Sequence, residues 1–219
     1  MASIKIAGDT SGEITVSVPS VAGTNTLTLP ANTGNIVTTG DSGTITEGMI
    51  GDGEISQAKL ASGVAGNGPV FSAYASSQTI SSSTPTNITY ANEEFDIGSC
   101  FNNTGGTVTL NGLSVPAYAF CPNVAGYYQI NGQVTYNSTA SSRYAYIFIR
   151  KNGSAHKQGS FSPLNSSDYV AINVQAVVYL NGTGDYVQIY SGQNSTGSVG
   201  TIVSGVSYVH FSGVMVRSA

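Results

Sequence analysis

Hydrophobic and polar residues alternate along most of the C-terminal part of the chain, which is the period of β-strands. In GYYQINGQVTYNS (126–138), Tyr128 and Ile130 fall on one face and Tyr127 and Gln129 on the other. DYVAINVQAVVYL (168–180) predicts a second long strand, and no helical period separates the predicted strands. The pattern therefore predicts an all-β fold, a C-terminal jelly-roll β-sandwich of about eight to ten strands.

The strongest hairpin signal lies in SRYAYIFIRKNGSAHKQGSF (142–161). Its Asn152-Gly153 pair suits a two-residue type I′ turn, in which both residues need positive φ. Before the turn, one predicted face holds Tyr144, Tyr146, Phe148 and Arg150, and the other holds Ala145, Ile147, Ile149 and Lys151.

Strand signals before residue 67 are short and few. Apolar and polar residues alternate in EITVSVPS and TNTLTLP. Two such short strands bury too little apolar surface to offset the conformational entropy lost on ordering, unless they pack on a partner surface. We therefore predict an extended, β-rich N-terminal arm or stalk over residues 1–66, which docks on a partner, and a head over 67–219. The candidate docking or stalk residues are Ile14, Val16, Val18, Leu27, Leu29, Ile45, Ile50 and Ile55.

A loose repeat runs through the arm, as GDTSGEIT (8–15), GDSGTIT (40–46) and GDGEIS (51–56). Stacking such units among identical chains would bury their isoleucines, as in a fibrous stalk. The alternative is chance similarity in a segment rich in Gly and Thr.

The distribution of aromatic residues agrees with this division. All thirteen Tyr and seven Phe residues lie from Phe71 onward, and the chain has no Trp. Because aromatic side chains supply much of the buried area of a core, the head is expected to fold by itself. Candidate core or trimer residues are Phe120, Tyr128, Phe148, Tyr208 and Phe211.

Composition argues against several classes of partner. Charged residues make up 8% of the chain, the net charge is -4, and no run of Lys or Arg is present, so no nucleic-acid partner is expected. No segment approaches the ~20 apolar residues of a membrane span, so no membrane insertion is expected. The start, MASIKIAGDT, lacks the apolar stretch of a secretory signal, which predicts synthesis in a cytoplasm.

No catalytic, cofactor or metal site is predicted, and the chain is not expected to be an enzyme. His156 and His210 lack a third ligand at a recognisable spacing. Glu93, Glu94 and Asp96 are interpreted as a solvated loop before a strand, with a Ca²⁺ site as the less favoured alternative. Neither a G-x-S-x-G motif nor a phosphate-binding loop is present.

Four of the seven cations, Arg143, Arg150, Lys151 and Lys157, surround the predicted hairpin. They are candidates for facing an anionic glycan. Charge that protects the edges of the hairpin is the favoured alternative. Cys100 and Cys121 are expected to be buried, reduced thiols, with a disulfide bridge as the alternative.

Several segments in order resemble the globular domain of complement component one-q, a jelly roll shared with tumour necrosis factor. They are FSAYAS (71–76), EEFD (93–96), AFCPNVAGYYQINGQVTY (119–136), LNGTGDYVQIY (180–190) and YVHFSGVMV (208–216). Phe120, Pro122, Gly126 and Tyr128 match the family's entry into a central strand. The resemblance implies a homotrimer with heads on a fibrous stalk, although the collagen period of animal members is absent.

IAGDTSGEITVSVPSVAGTNTLTLPANTGNIVTTG (6–40) is similar to N-terminal segments of structural proteins of tailed bacteriophages, including those of cyanobacteria. Together the two resemblances imply a trimeric virion surface protein of a tailed phage. The short length and the absence of an adaptor domain favour a capsid decoration protein, such as a cement protein or head fibre. Its partners would be the major capsid protein or another virion component, and a host-surface glycan. A short tail fibre with a receptor-binding head is the main alternative, and a stand-alone carbohydrate-binding module or a depolymerase is less favoured.

Overall fold

The computed structural model describes residues 3–7, 11–17, 66–137, 142–164, 169–195 and 200–219. The chain divides into two compact units, Met1–Gly51 and Asp52–Ala219, and each is considered by itself. All regular structure among the described residues is β-strand.

The first unit contains an antiparallel hairpin of β1 (Ser3–Ala7) and β2 (Glu13–Ser17). Its register places Ile6 opposite Ile14 and Ile4 opposite Val16, and the side chain of Ile6 is 57% exposed. β2 confirms the strand predicted in EITVSVPS. The other candidates of the arm, Val18, Leu27, Leu29, Ile45, Ile50 and Ile55, lie outside the described residues. The docking role of all eight candidates, including Ile14 and Val16, stays a prediction.

The second unit contains two facing sheets. The larger has the order β4-β14-β9-β15-β3-β6, and β12 pairs along the full length of β9. Its strands are β3 (Val70–Tyr74), β4 (Gln78–Ile80), β6 (Asn92–Ile97), β9 (Gly126–Asn137), β12 (Tyr169–Leu180), β14 (Gly200–Ile202) and β15 (His210–Ser218).

The smaller sheet has the order β11-β10-β13-β5. Its strands are β5 (Thr86–Asn87), β10 (Ser142–Lys151), β11 (Ser154–Ser162) and β13 (Val187–Ser195). A separate pair, β7 (Val108–Leu110) and β8 (Leu113–Val115), lies in the loop before β9.

The chain crosses repeatedly between the two sheets, which is the path of a jelly roll. After β9 in the large sheet it makes the β10–β11 hairpin in the small sheet, returns as β12 beside β9, and crosses again to β13. β15 then closes the large sheet between β9 and β3. The predicted all-β jelly roll is confirmed. Eight described strands of the head have five or more residues, and the additional ones have two or three.

The core lies between the sheets and is built mainly by alternation along the strands, with buried Thr135 of β9 as an exception. Tyr128, Ile130, Val134 and Tyr136 of β9 are fully buried, as the pattern predicts. The ring of Phe71 lies at the centre of an aromatic cluster, with centroid distances of 4.6 Å to Phe101, 4.6 Å to Phe120 and 4.7 Å to Phe211. The small sheet contributes Ala145, Ile147, Ile149, Val187 and Ile189.

The β10–β11 turn is made by two residues, as predicted from Asn152-Gly153. Their φ angles are 52° and 77°, which are the positive values that a type I′ turn requires. Asn152 also joins this turn to the neighbouring one, because its Nδ2 donates to Asp185 Oδ1 at 2.7 Å and its Oδ1 accepts from the Tyr186 amide at 3.0 Å.

Buried Asn102 organises the loop before β9. Its Nδ2 donates to the carbonyl oxygens of Gly106, Val115 and Pro116 at 2.8–2.9 Å. Its Oδ1 accepts hydrogen bonds from the amide and hydroxyl of Thr104 at 2.8 and 2.7 Å. The Asn102 side chain therefore supplies hydrogen-bond partners to several backbone groups of the segment that contains β7 and β8.

Candidate interaction surfaces

The outward face of the large sheet exposes an unusual amount of apolar surface at one end. Tyr127, Val177, Tyr179, Val214 and Val216 are each between 39% and 52% exposed. They come from β9, β12 and β15, which are hydrogen-bonded neighbours. We call these five residues the sheet face. Their side chains point away from the core because the residues between them, such as Tyr128 and Val178, point into it.

The pairing register brings apolar residues of four strands together on either side of Gln129 of β9, which is polar and half-buried. Gln129 stands opposite both Val177 of β12 and Val214 of β15. On the other side of β15, Val214 faces Val70, which in turn faces Ile97 of β6. Ile97 is 63% exposed, so an apolar band, interrupted on β9 by Gln129, crosses the sheet from β12 to β6.

A groove of about 670 Å³ opens beside this band. Tyr127 and Tyr179 form one wall, with ring centroids 5.5 Å apart, and residues 216–219 form the rest. Further along the same face the band gives way to polar side chains. These are Asn131 and Gln133 of β9, Ser212 of β15 and Ser72 of β3. Polar side chains are thus more frequent away from the apolar end of the face, although exposed aromatic side chains such as Phe95, opposite Ser72, remain among them.

The predicted core or trimer residues separate into two groups. Phe120, Tyr128 and Phe211 are fully buried in the core. Phe148 is half-buried on the outward face of the small sheet, and Tyr208 is 48% exposed in the loop before β15. The sequence does not distinguish the residues of the sheet face from core residues, because the β12 segment is apolar on both of its faces.

The described cations of the hairpin do not form one cluster. Arg150 faces outward from the small sheet, with its guanidinium 4.1 Å from the centroid of the Tyr190 ring. Lys151 lies two residues after Ile149, on the same face of β10, which is the opposite face from Arg150. Lys157 of β11 pairs with Ile149. The side chain of Arg143 lies outside the described residues.

Lys151 is engaged within the molecule. Its Nζ donates to the Tyr179 carbonyl oxygen at 2.9 Å and lies 2.8 Å from Asp185 Oδ2. Burial opposes ionisation of Asp185, but hydrogen bonds from Lys151 and Asn152 outweigh it and hold the pKa of the carboxyl below its ordinary value. The pKa of exposed His156 is lowered by partial burial and by Lys157 and Lys151.

The acidic cluster lies within edge strand β6, so the interpretation of Glu93, Glu94 and Asp96 as a loop before a strand is wrong. Edge strands commonly carry charge, which prevents pairing with other chains. The Asp96 carboxylate accepts hydrogen bonds from the amides of Cys100 and Phe101 at 3.1 and 2.9 Å, and Glu94 accepts one from Ser72 Oγ at 2.7 Å.

Other classes of site find little support in the described part of the chain. It contains no group of three His, Cys, Asp or Glu side chains that could hold a metal ion. It also contains no helix that is long and apolar enough to cross a bilayer. His210 lies in β15, half-buried between Tyr74 and Gln133.

Cys100 and Cys121 are both free and buried. The Cys121 amide donates to the Cys100 carbonyl oxygen at 2.8 Å, so the two residues lie on adjacent backbone segments. Burial raises the pKa of each thiol to about 11. A thiol with so high a pKa is a poor nucleophile at neutral pH.

Comparison with known proteins finds similarity at the level of the fold. No protein-family model matches the sequence, and no curated protein matches it. Among solved structures, the globular domain of zebrafish complement 1qA is 13% identical with a TM-score of 0.47, covering 69% of this chain and 99% of that chain. Murine APRIL is 12% identical with a TM-score of 0.45, covering 67% and 98%.

The vertex protein P5 of PRD1 is 11% identical with a TM-score of 0.43, covering 68% of this chain and 97% of its own. Similarity at such identities concerns the fold and does not extend to function. The two facing sheets and the crossings of the chain between them independently establish that the head is a jelly roll.

Proposed function

We propose that the protein is a non-enzymatic structural component of a phage virion, a homotrimer that decorates the capsid. The N-terminal arm docks on the shell, where the major capsid protein is the expected partner. The jelly-roll head projects outward. The observation that carries this proposal is the sheet face, an exposed apolar band on a domain whose core is already complete.

The sheet face supports self-association. Contiguous apolar surface of this kind on a folded domain usually marks an interface rather than a surface that stays in water. The partner would be another copy of the same head, because the band runs across the sheet and ends in polar residues that can form a hydrogen-bonding rim. Three heads related by a three-fold axis would each bury the band against a neighbour.

The arm supports docking. An isolated two-stranded hairpin such as β1–β2 is marginal in water, so it gains order by packing on another surface. Three arms on one trimer would bind the shell with an avidity that no single arm reaches. The similarity of residues 6–40 to N-terminal segments of phage structural proteins favours a virion as that surface.

The proposal is tested by assembling particles with a chain that lacks residues 1–66. The truncated head should remain folded and trimeric in solution, but should be absent from purified particles. A truncated head that still copurifies with particles would show that the arm is not the anchor. Immunogold labelling of intact virions then distinguishes capsid from tail.

A short tail fibre with a receptor-binding head is the second candidate. It is favoured by exposed aromatic side chains on the small sheet, where Phe161 is 58% exposed beside Tyr144 and Tyr146. Gold particles at the tail, with none over the capsid, would select this candidate.

A further inference from the structure

Four aromatic side chains form a continuous surface on the outward face of the small sheet. Tyr144, Tyr146 and Phe148 alternate along β10, and Phe161 of β11 stands opposite Tyr146. Ring centroids are 4.3 Å apart for Tyr144 and Phe161, 6.0 Å for Tyr144 and Tyr146, and 5.4 Å for Tyr146 and Phe148. We call these four residues the aromatic platform.

The ring of Tyr146 lies over the backbone of the adjacent strand. It rests on Gly192, the residue opposite it on β13. A Cβ atom at Gly192 would come within 2.6 Å of the Tyr146 ring, so only glycine leaves room for this position. The absence of a side chain at Gly192 therefore lets the Tyr146 ring lie close against the backbone of β13.

A concavity of about 300 Å³ lies above these rings, lined by Pro85, Tyr144, Tyr146, Phe148, Gln158 and Phe161. None of these described residues is charged. Polar groups surround the rings, because the Gln158 amide is exposed and Asn194 Nδ2 donates to Tyr144 Oη at 2.7 Å. The site thus combines flat apolar rings with hydrogen-bonding groups beside them.

We propose that the aromatic platform binds a pyranose ring of a neutral saccharide. Such a ring has an apolar face of C–H groups, which can stack on Tyr146 or Phe161, and hydroxyl groups at its edge, which can reach the amides and phenol hydroxyls. The concavity has the size of a small-molecule site. A protein partner would instead cover roughly 800 Å² on each side.

This site differs from the one that the sequence suggested, in which Lys and Arg side chains would face an anionic glycan. Arg150 lies beside the platform, but its guanidinium is directed to the Tyr190 ring rather than to the concavity. Recognition would therefore depend on stacking, with little dependence on the charge of the ligand or on salt.

The platform and the sheet face lie on opposite sides of the sandwich, because each is the outward face of its own sheet. A trimer formed through the sheet face would leave the platform accessible. The proposal does not require the virion role, since a soluble head would bind the same ring.

Saturation-transfer difference NMR on the full chain tests the inference. The probes are methyl β-D-glucopyranoside, methyl β-D-galactopyranoside and N-acetyl-D-glucosamine, with sorbitol as an open-chain polyol that lacks a rigid apolar face. We expect saturation of the ring C–H protons of at least one pyranoside and none of sorbitol. Phe161→Ala should weaken binding roughly tenfold, and Phe161→Tyr should retain it.

Two further variants separate stacking from a loss of structure. Gly192→Ala should displace the Tyr146 ring and reduce the signal, whereas Tyr169→Ala, which removes an exposed aromatic ring from the opposite sheet, should leave it unchanged. Equal saturation of sorbitol, no transfer to any pyranoside, or an undiminished signal in folded Phe161→Ala would overturn the proposal. A change of molar mass in Phe161→Ala would also overturn it, since the platform would then be a protein contact.

Discussion

Tyr127 and Tyr179 stand directly opposite each other on β9 and β12, with ring centroids 5.5 Å apart on the outward face of the large sheet. Each ring remains more than two-fifths exposed despite this contact. A cross-strand aromatic pair stabilises the sheet by itself. The exposed area that is left shows that the pair can bury more surface against another molecule.

A charge placed in the sheet face should therefore weaken self-association without unfolding the head. Val177 is 52% exposed beside this pair, and Val177→Glu would bring a carboxylate into the proposed interface. We expect light scattering to show a monomer at micromolar concentration. The variant should still unfold cooperatively. Its melting temperature should fall only by the amount that subunit association contributes in the wild type.

Gln158→Glu provides the matched control, because it adds the same charge to the exposed face of the other sheet. The control should remain trimeric. If Val177→Glu and Gln158→Glu have the same molar mass as the wild type, the sheet face is not the interface.

The two thiols should react slowly in the native protein. Since burial raises the pKa of Cys100 and Cys121 to about 11 from an ordinary value of 9.0, the thiolate fraction at pH 8 falls about a hundredfold. Iodoacetamide should label the unfolded chain at least that much faster than the native chain, as followed by mass spectrometry. Native labelling at the unfolded rate would contradict the burial of both thiols.

The same shifts predict how stability depends on alkaline pH. A folded state that holds its thiol protons more tightly than the unfolded state is favoured below pH 9. This contribution is lost as the pH rises from 9 towards 11. A double Cys→Ala variant should show a smaller loss over this window in urea titrations.

Asp185 should contribute to stability at neutral pH through the two joined turns. The pKa of Asp185 is lower in the folded than in the unfolded state, so on acidification the unfolded state takes up a proton at a higher pH. The stability that Asp185 contributes therefore falls as the pH drops through the pKa of the folded protein. Asp185→Asn should cost roughly 0.5–1 kcal/mol at pH 7 because the pair with Lys151 is near the surface. Wild type and variant should converge in acid, and a constant difference in their unfolding free energies at every pH would exclude this role.

Asn102 should be the most sensitive polar residue of the loop before β9. Asn102→Ala would leave the carbonyl oxygens of Gly106, Val115 and Pro116 without their donor, at a cost of roughly 2–3 kcal/mol. Chemical denaturation measures this difference, with exposed Thr109→Ala as the control. Equal stability of the two variants would show that water replaces the amide.

Local rules predicted the parts of the fold that depend on neighbouring residues. Alternation gave the buried and exposed faces of β9 and β10 because the period of a strand is two. Asn152-Gly153 predicted its turn because few other pairs tolerate two positive φ angles. The prediction of a loop at Glu93, Glu94 and Asp96 rested on their charge. It was wrong because an edge strand tolerates carboxylates as readily as a loop does.

The candidate surfaces could not be predicted in the same way. The sheet face depends on the register that pairs Tyr127 with Tyr179, and on the irregularity of β15 that brings Val216 to the same groove. These residues are far apart in the chain. The platform likewise depends on Gly192 lying under Tyr146. Alternation marks each residue as outward-facing but does not give the neighbours that it meets across strands.

The molar mass of the full chain in solution tests the central claim most directly. Light scattering coupled to size exclusion, over a dilution series in the micromolar range, should give three times the chain mass of 22.4 kDa. A mass of 22.4 kDa at every concentration would contradict a trimer built on the sheet face.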